Sequence, residues 1–224
     1  MQVLVLSTPE IAAEFQQKFT SSHQYIFLQT YDELEKHLPQ AEVIFDFFLQ
    51  DEPSRLTNYA CHENLIVFCG NVKKQLAELA QNEDNIACTL FGFNDLPTMI
   101  NRQYLEVSLL HAHDITKLET VCKALETEYL VVEDRVGFVT PRIICMIINE
   151  ACYTLQEGTA SVRDIDLGMK LGTNYPFGPF EWGDKLGLKN VYEILEAVYN
   201  DTKDERYKIC PLLKTKYLKN ASFL

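Results

Sequence analysis

The part of the chain that most constrains the fold is residues 137–189, where helical patterns lead into a loop rich in proline and aromatic residues. Apolar residues at helical spacing predict a helix over residues 143–156. Thr140 is its expected N-cap, and Pro141 fits the first turn, where the missing N–H removes no helical hydrogen bond. Gly158 is typical of the residue that follows a helix C-terminus. This helix is apolar nearly all around, so we expect burial on every side.

A second helix is predicted to begin at Ser161 and to end at Gly172, because Ser161 and Asp164 have the spacing of a capping box. The loop that follows, residues 175–182, is stiffened by two prolines around a glycine. Its rings must pack against other groups, and we favour a subunit interface over a ligand cage. The aromatic residues are Tyr175, Phe177, Phe180 and Trp182.

This half of the chain resembles the C-terminal domain of the 3-hydroxyacyl-CoA dehydrogenase family. The similar segments, in the family's order and spacing, are Gly137-Phe138-Val139, Asn149-Glu150-Ala151, Asp164-Ile165-Asp166, residues 169–172, residues 175–181, Asp184, Gly187-Leu188 and residues 206–213. The resemblance implies an all-α dimerisation domain over residues 135–224. It also implies NAD-dependent oxidation of 3-hydroxyacyl-CoA in fatty acid metabolism, provided that the first half keeps the family's chemistry.

Composition limits the partners. The chain has 224 residues and a net charge of −12, so a nucleic-acid partner is not expected, because phosphate binding needs clustered Lys and Arg. No apolar run reaches the length of a membrane span, and the first residues lack the features of a secretion signal. The seven cysteines have no C-x-x-C pair. We therefore expect reduced, buried thiols, no metal site and a cytoplasmic protein.

The first half alternates short apolar runs with helical patterns, as in a doubly wound α/β domain. We assign residues 1–134 to a truncated, degenerate Rossmann-like dinucleotide-binding domain. The predicted strands are residues 3–6, 25–28, 43–48, 65–68, 86–91, 104–110 and 129–132, and the predicted helices are residues 9–19, 31–38, 72–80 and 115–125.

The turn after the first strand lacks the glycines of a dinucleotide-binding loop. Aligned with the family's first strand, the three glycine positions fall on Ser7, Pro9 and Ala12. Pro9 removes one N–H and fills space that phosphate oxygens need, whereas Ala12 is tolerable. The ribose-binding acidic position is Gln29, and Asp32 is either a displaced substitute or an ordinary carboxylate at a helix start, which we favour.

The family's helical hairpin between the second and third strands is also missing. Only residues 29–42 separate those strands here, which is enough for one short helix and its turns. The segment that closes over substrate and cofactor in the family is therefore not expected in this chain.

The family's His-Glu pair is broken. In the run from Phe91 to Glu106, the residues Asn94, Pro97, Met99 and Glu106 match the family pattern, but the histidine position holds Phe91. A phenyl ring cannot accept the proton that the imidazole takes from the 3-hydroxyl group. The remaining catalytic positions by resemblance are Glu106 and Asn94, and Glu106 without its histidine is more typical of a structural carboxylate than of a base.

Two further family positions have changed. The serine- and threonine-rich turn is replaced by residues 68–72, and the asparagine at the start of the long helix of the second domain falls on Pro141. His111 and His113 are alternative bases, although H-x-H before Asp114 is more typical of an exposed loop with a helix cap. For Glu181 the simplest role is to bind the backbone N–H groups of a helix start.

Two functions remain open. The first is a catalytically degenerate, dimeric protein without a cofactor, which keeps the fold and binds either no ligand or an acyl-CoA or other small molecule. The second is a working NAD-dependent dehydrogenase with relocated residues. We favour the first. A homodimer through the second domain is expected for either, with Phe177, Phe180 and Trp182 at or near the contact.

Overall fold

The computed structural model describes residues 1–20, 22–83 and 85–224. The chain forms two compact units, Met1–Phe138 and Val139–Leu224. The first is an α/β unit, and the second is built of helices.

The first unit is organised around a seven-stranded sheet of order β2-β1-β3-β4-β5-β6-β7. All neighbouring strands are parallel except β5 and β6, which are antiparallel. The predicted doubly wound α/β fold is therefore confirmed. The strands are β1 (Gln2–Leu6), β2 (Gln24–Leu28), β3 (Val43–Asp46), β4 (Ile66–Gly70), β5 (Thr89–Phe93), β6 (Tyr104–Leu109) and β7 (Glu128–Val132).

Helices pack on both faces of this sheet. The helices are α1 (Pro9–Lys18), α2 (Leu34–His37), α3 (Thr57–Ala60), α4 (Leu76–Ala80) and α5 (Ile115–Ala124). Helices α1 and α5 cover the face that we call the aromatic face, which carries Phe45, Phe68, Phe91 and Phe93. Helices α2, α3 and α4 cover the aliphatic face, which carries Leu4, Leu6, Ile44, Val67 and Leu90. Alternation along each strand separates the two sets.

The connection between β2 and β3 is short, as predicted. It contains a 3-10 turn at Tyr31–Glu33, the four-residue helix α2 and a second 3-10 turn at Leu38–Gln40. No helical hairpin is present in residues 29–42, all of which are described. This segment packs Leu34 and Leu38 onto the aliphatic face, so it covers part of the hydrophobic core.

Two helices of the first unit differ from the prediction. Helix α4 begins at Leu76 and not at residue 72, because the carboxylate of Asp134 accepts hydrogen bonds from the N–H groups of Leu76 and Ala77, at 2.8 and 3.1 Å. A distant side chain thus fixes the helix start. Helix α3 was not predicted, because its four residues are too few to give a periodic pattern.

The loop between β5 and β6 is held to helix α1 by one carboxylate. Glu14 accepts backbone hydrogen bonds from Thr98 at 2.8 Å, and from Ile100 and Asn101 at 3.1 Å each. Thr98 has a φ of 67°, which directs its N–H toward Glu14 along with the other two. The loop that carries Pro97 and Met99 is therefore fixed by charge-assisted hydrogen bonds.

We expect Glu14→Gln to destabilise the protein by about 2 kcal/mol, because hydrogen bonds to a charged group each contribute ~1.5–3 kcal/mol and the amide keeps only one oxygen. Urea unfolding followed by circular dichroism measures the change. Gln16→Ala, on the exposed side of the same helix, is the control and should change stability by less than about 0.5 kcal/mol. Equal stability of Glu14→Gln and the wild type would contradict the anchoring role.

The second unit, whose residues are all described, contains five α-helices. They are α6 (Thr140–Gln156), α7 (Val162–Thr173), α8 (Pro179–Leu186), α9 (Leu188–Thr202) and α10 (Pro211–Leu218). Helix α6 has Val139 at its N-cap position and no side-chain capping bond, so the predicted capping by Thr140 is wrong. Within the single chain Ile143 of α6 is 56% exposed, so burial of this helix on every side stays a prediction that depends on a second copy.

Helix α7 has the predicted capping box. The Ser161 hydroxyl accepts from the Asp164 N–H at 3.2 Å and donates to the Asp164 carboxylate at 2.7 Å. The helix continues one residue past the predicted end, to Thr173, and Asn174 closes it in a left-handed conformation. No residue of α7 is buried within the chain.

Among the described helices, none is long and apolar enough to cross a membrane. All seven cysteines are free, and all except Cys61 are buried. Burial raises the pKa of the Cys145 and Cys152 thiols to about 12, so these groups stay protonated and unreactive near neutral pH.

Candidate functional site

The N-terminus of helix α1, where a dinucleotide-binding domain holds pyrophosphate, is occupied by the chain's own groups. Thr8 is the N-cap, and its hydroxyl accepts from the Ile11 N–H. Pro9 follows at the first helical position and has no N–H. The pKa of the exposed Glu10 carboxyl is lowered, because its own backbone N–H and the Thr8 hydroxyl donate to it. The first turn of α1 thus carries a carboxylate of its own, where a dinucleotide-binding helix would meet an anion.

The other predicted cofactor-binding positions are either exposed or hydrogen-bonded within the local structure. Ser7 is buried, and its N–H donates to the Leu28 carbonyl. Ala12 lies in the first turn of α1, where its N–H donates to the Thr8 carbonyl. Gln29 is exposed at the end of β2. Asp32 is exposed and accepts from the Thr30 hydroxyl at 2.9 Å, which is the local turn role that the sequence favours.

A buried aromatic ring follows β3 at the crevice between β1 and β3. In open α/β sheets, ligands bind where neighbouring strands lead in opposite directions, which here is the carboxyl end of β1 and β3. Phe47 follows β3 directly, its N–H donates to the Leu6 carbonyl, and its ring is 6% exposed. The ring lies 5.0 Å from that of Phe93 and 6.4 Å from that of Phe15. The residue that follows β3 at this crevice is thus part of the aromatic core.

A buried carboxylate closes the opposite side of the same crevice. Asp46, the last residue of β3, accepts hydrogen bonds from the hydroxyls of Tyr31 at 2.9 Å and Tyr59 at 2.8 Å, and from the Phe48 N–H at 2.9 Å. Burial raises the pKa of the Asp46 carboxyl to about 6, against these hydrogen bonds, which lower it. All three partners belong to loops and helices that cover the sheet, so Asp46 ties them to β3.

Phe91 and Glu106 lie on opposite faces of the sheet. Phe91 is fully buried on the aromatic face, 5.3 Å from the ring of Phe68. Leu105 and Val107 lie on that same face, so Glu106 between them points to the other side. The two positions that would form the His-Glu pair are therefore not brought together.

Asn94 and Glu106 are brought together as neighbours on β5 and β6. The Asn94 N–H donates to the Glu106 carbonyl at 3.1 Å, and both side chains are at least nine-tenths buried. The Asn94 amide oxygen accepts from the Leu96 N–H at 3.4 Å, which makes it a turn-forming residue. Asn94 and Glu106 are thus joined through their backbones.

The space beside them is filled by two polar residues that sequence reasoning missed. Asn71 and Ser108 are buried over Gly92, and a Cβ atom on Gly92 would clash with the Asn71 amide oxygen and the Ser108 hydroxyl. Neither of these two oxygens has a hydrogen-bond partner in the described part of the chain. A glycine between two strand residues is the sequence signal for such a close approach.

His111 and His113 form an exposed pair beside helix α5. Their rings stack at 5.4 Å, nearly parallel. Asp114 occupies the N-cap position of α5 but makes no capping bond, and instead pairs with Lys117 at 2.9 Å. In the described residues, no three His, Cys, Asp or Glu side chains are grouped as metal ligands.

In the second unit, the helix-start role belongs to Asp166 and not to Glu181. Asp166 accepts hydrogen bonds from the N–H groups of Phe180 at 2.8 Å and Glu181 at 3.1 Å. The Glu181 carboxylate instead pairs with Lys170 at 3.0 Å. Pro141, which stands at the position of the family's asparagine, is buried in the first turn of α6. Its ring offers no side-chain amide.

Comparison with known proteins agrees with this architecture. Residues 137–222 match the family model described as 3-hydroxyacyl-CoA dehydrogenase, C-terminal domain. The structure of (S)-3-hydroxybutyryl-CoA dehydrogenase from Ralstonia eutropha is similar with a TM-score of 0.72 and 19% identity, over 97% of this chain and 93% of that chain.

Two curated relatives carry the match in sequence. The 3-hydroxyadipyl-CoA dehydrogenase of Escherichia coli strain K12 is 42% identical over 94 residues, which are 42% of this chain and 20% of the relative. The 3-hydroxybutyryl-CoA dehydrogenase of Clostridioides difficile is 29% identical over 171 residues, or 75% of this chain and 60% of the relative. This is a 3-hydroxyacyl-CoA dehydrogenase-like chain. The matches span 20% to 60% of these relatives' own lengths.

The dehydrogenase-like chain buries part of its aromatic loop within its second unit. Phe180 is fully buried 4.5 Å from Phe223, and Trp182 packs against Tyr175 and Phe177 at 6.2 and 5.9 Å. Phe180 and Trp182 thus pack inside the unit, and only Tyr175 and Phe177 remain half-buried.

Proposed function

We propose that this dehydrogenase-like chain is a catalytically degenerate, dimeric protein of the cytoplasm that binds no NAD. The observation that carries the proposal is the closed N-terminus of α1, where Pro9 removes a donor and the Glu10 carboxylate takes another. Placement in the cytoplasm is supported by the free cysteines, which are typical of reducing compartments.

Electrostatics strengthens the argument against a dinucleotide. A pyrophosphate at α1 would lie beside the Glu10 carboxylate, and like charges at close range repel. It would also have to displace the hydrogen bonds that Glu10 receives from its own N–H and from Thr8. The missing donor and the repulsion by Glu10 weaken pyrophosphate binding independently, so their unfavourable contributions to the binding free energy roughly add.

The residues at the family's catalytic positions support the absence of 3-hydroxyacyl-CoA oxidation. Phe91 cannot act as a base, it lies on the face opposite Glu106, and Pro141 replaces an amide. The polar residues that remain, Asn94 and Glu106, are buried and engaged in local structure. This supports a protein that keeps the fold without the chemistry.

An active NAD-dependent dehydrogenase remains the second candidate. The observation in its favour is the 42% identity to 3-hydroxyadipyl-CoA dehydrogenase, together with the survival of Asn94 and Glu106. In this version Glu106, His111 or His113 serves as the base. An acyl-CoA or another small molecule bound without turnover is compatible with the first candidate.

The homodimer is proposed on the exposed face of α6 and α7. A groove of 320 Å³ between these helices is lined by the apolar residues Ile147, Ala151, Ile165, Met169 and Pro179, together with Glu150, Thr154, Asp164 and Gly168. Leu167 and Leu171 project from α7 with 49% and 77% exposure, whereas Gly168 and Gly172 leave open space beside them. An exposed apolar surface on these two helices suits a second copy of the same chain, because a two-fold dimer buries the same surface of both copies.

A thermal-shift comparison tests the proposal. We expect 1 mM NADH to leave the melting temperature unchanged within about 1 °C, because a ligand stabilises the folded state by RT ln(1 + [L]/Kd) and the expected Kd is well above that concentration. CoA and acetoacetyl-CoA are measured separately. A shift with either one, but not with NADH, identifies the acyl-CoA-binding version.

A full-length, active 3-hydroxybutyryl-CoA dehydrogenase is the positive control, and its melting temperature should rise by several degrees with NADH. An equal rise for this chain would show that Pro9 and Glu10 do not block the cofactor. The second candidate would then replace the first.

A further inference from the structure

A buried side-chain link joins three loops at the carboxyl edge of the sheet. The Gln50 amide N–H donates to the Asp95 carboxylate at 2.7 Å, and the Gln50 amide oxygen accepts from the Lys73 backbone N–H at 3.1 Å. Gln50 follows β3, Lys73 follows β4 and Asp95 follows β5. One glutamine thus connects the three loops that surround the former active-site edge.

The environment of Asp95 penalises a negative charge. The residue is 8% exposed, and its Oδ1 atom has no hydrogen-bond partner among the described residues. Its side chain is pressed against Gly70, where a Cβ would clash with it. Burial disfavours the ionised form of this carboxyl, although the backbone N–H groups of Asp95 and Val72 partly stabilise it.

The charged and titratable groups that face Asp95 only partly offset this penalty. The Lys73 side chain attracts the charge, whereas Asp51 repels it. The Cys69 thiol is within electrostatic range of Asp46, Asp95 and Asp134. Burial raises the pKa of the Asp95 carboxyl to about 7, and Lys73 moderates the rise.

We propose that the Gln50–Asp95 link is a pH-sensitive latch, which holds the three loops closed while Asp95 carries its proton and loosens them as that proton is lost. The opening reaches the loops after β3, β4 and β5, which include Phe47, Asn71 and Asn94. The device does not depend on whether the chain binds a cofactor.

The direction of the pH effect follows from the two protonation equilibria. In an open loop the Asp95 carboxyl regains its ordinary pKa of 3.8, whereas in the closed loop the pKa is about 7. The closed form is therefore most favoured below about pH 4, and the open fraction rises with pH until about pH 7 and is constant above it. Between pH 5 and 6.5, one proton is released on opening.

The Lys73 amide reports on the latch, because its N–H is the donor to Gln50. Hydrogen exchange of that amide, corrected for the intrinsic effect of pH, is measured between pH 5 and 8. We expect the opening equilibrium to rise on the order of tenfold per pH unit up to pH 6.5 and to level off above pH 7. Asp95→Asn is isosteric and does not ionise. In this variant the rise of the opening equilibrium with pH that is due to Asp95 should disappear.

Two further variants complete the test. Gln50→Ala should leave the Lys73 amide poorly protected at every pH, because its acceptor is gone. Glu63→Gln, which neutralises an exposed carboxylate of the same unit, should keep the wild-type slope. Protection of Lys73 that is independent of pH in the wild type, or a full slope in Asp95→Asn, would overturn the latch.

Discussion

Purified protein given acetoacetyl-CoA and NADH is expected to turn over at well below about 1 s⁻¹, the lower end of ordinary enzyme rates. The Phe91→His variant is expected to be no faster. A general base contributes ~10²–10⁴ in rate, so recovery of activity by this one change would require the new imidazole to reach both the substrate and Glu106.

The sheet prevents that arrangement. Phe91 points into the aromatic face beside Phe68, and Glu106 points to the other face. An imidazole at position 91 would replace a fully buried ring in a cluster of phenyl groups, where a polar side chain without a partner is costly. We therefore expect Phe91→His to lower stability by about 2–4 kcal/mol without creating a catalytic pair.

NADH absorbance at 340 nm under high protein concentration measures the rate, with an active 3-hydroxybutyryl-CoA dehydrogenase as the positive control. Glu106→Gln and the His111→Ala and His113→Ala variants are measured in parallel. Turnover above about 1 s⁻¹ in the wild type would refute catalytic degeneracy. Its loss in one of these three variants would then identify the base.

The sequence predicts the architecture well, because the decisive signals are local. Every strand of the sheet overlaps a predicted apolar run, although β5 spans Thr89–Phe93 and not residues 86–91, and β3 ends at Asp46 and not at residue 48. The short connection over residues 29–42 correctly excludes a helical hairpin. The Ser161 capping box is also local and is confirmed. The start of α4 is different, because Asp134 fixes it from 58 positions along the chain.

The candidate site is harder to predict for the same reason. Pro9 signals a lost donor from sequence alone, whereas the hydrogen bonds that Glu10 receives from its own N–H and from Thr8 are seen only in the structure. Asp46 and Asp95 look like ordinary surface residues in the sequence. Their burial depends on tyrosine and glutamine partners 13 to 45 positions away, and no periodic pattern records such pairs.

The proposed dimer would account for the apolar character of α6. The apolar residues of α6 that the chain itself leaves accessible, such as Ile143, lie on the unit that also exposes Leu167 and Leu171. An apolar surface of this kind is typical of an interface. A partner copy on this face would give α6 and α7 the burial that the sequence predicts, without any contribution from the already buried Phe180 and Trp182.

We expect the wild-type protein to be a dimer at micromolar concentration and the Leu171→Glu variant to be a monomer. In a two-fold interface each substitution occurs twice, so two unpaired carboxylates would be buried close together. The penalty is at least about 3 kcal/mol, which corresponds to a loss of more than ~100-fold in dimer affinity. Light scattering coupled to size-exclusion chromatography measures the mass.

Leu218→Glu is the matched control, because Leu218 is 69% exposed on helix α10, which contributes no residue to the α6–α7 groove, whereas Leu171 belongs to α7. It adds the same charge to the same unit and should leave the dimer intact. Both leucines are largely exposed within the chain, so neither change should unfold it, and circular dichroism verifies this. A wild-type monomer would refute the homodimer, and dissociation by Leu218→Glu but not by Leu171→Glu would place the interface elsewhere.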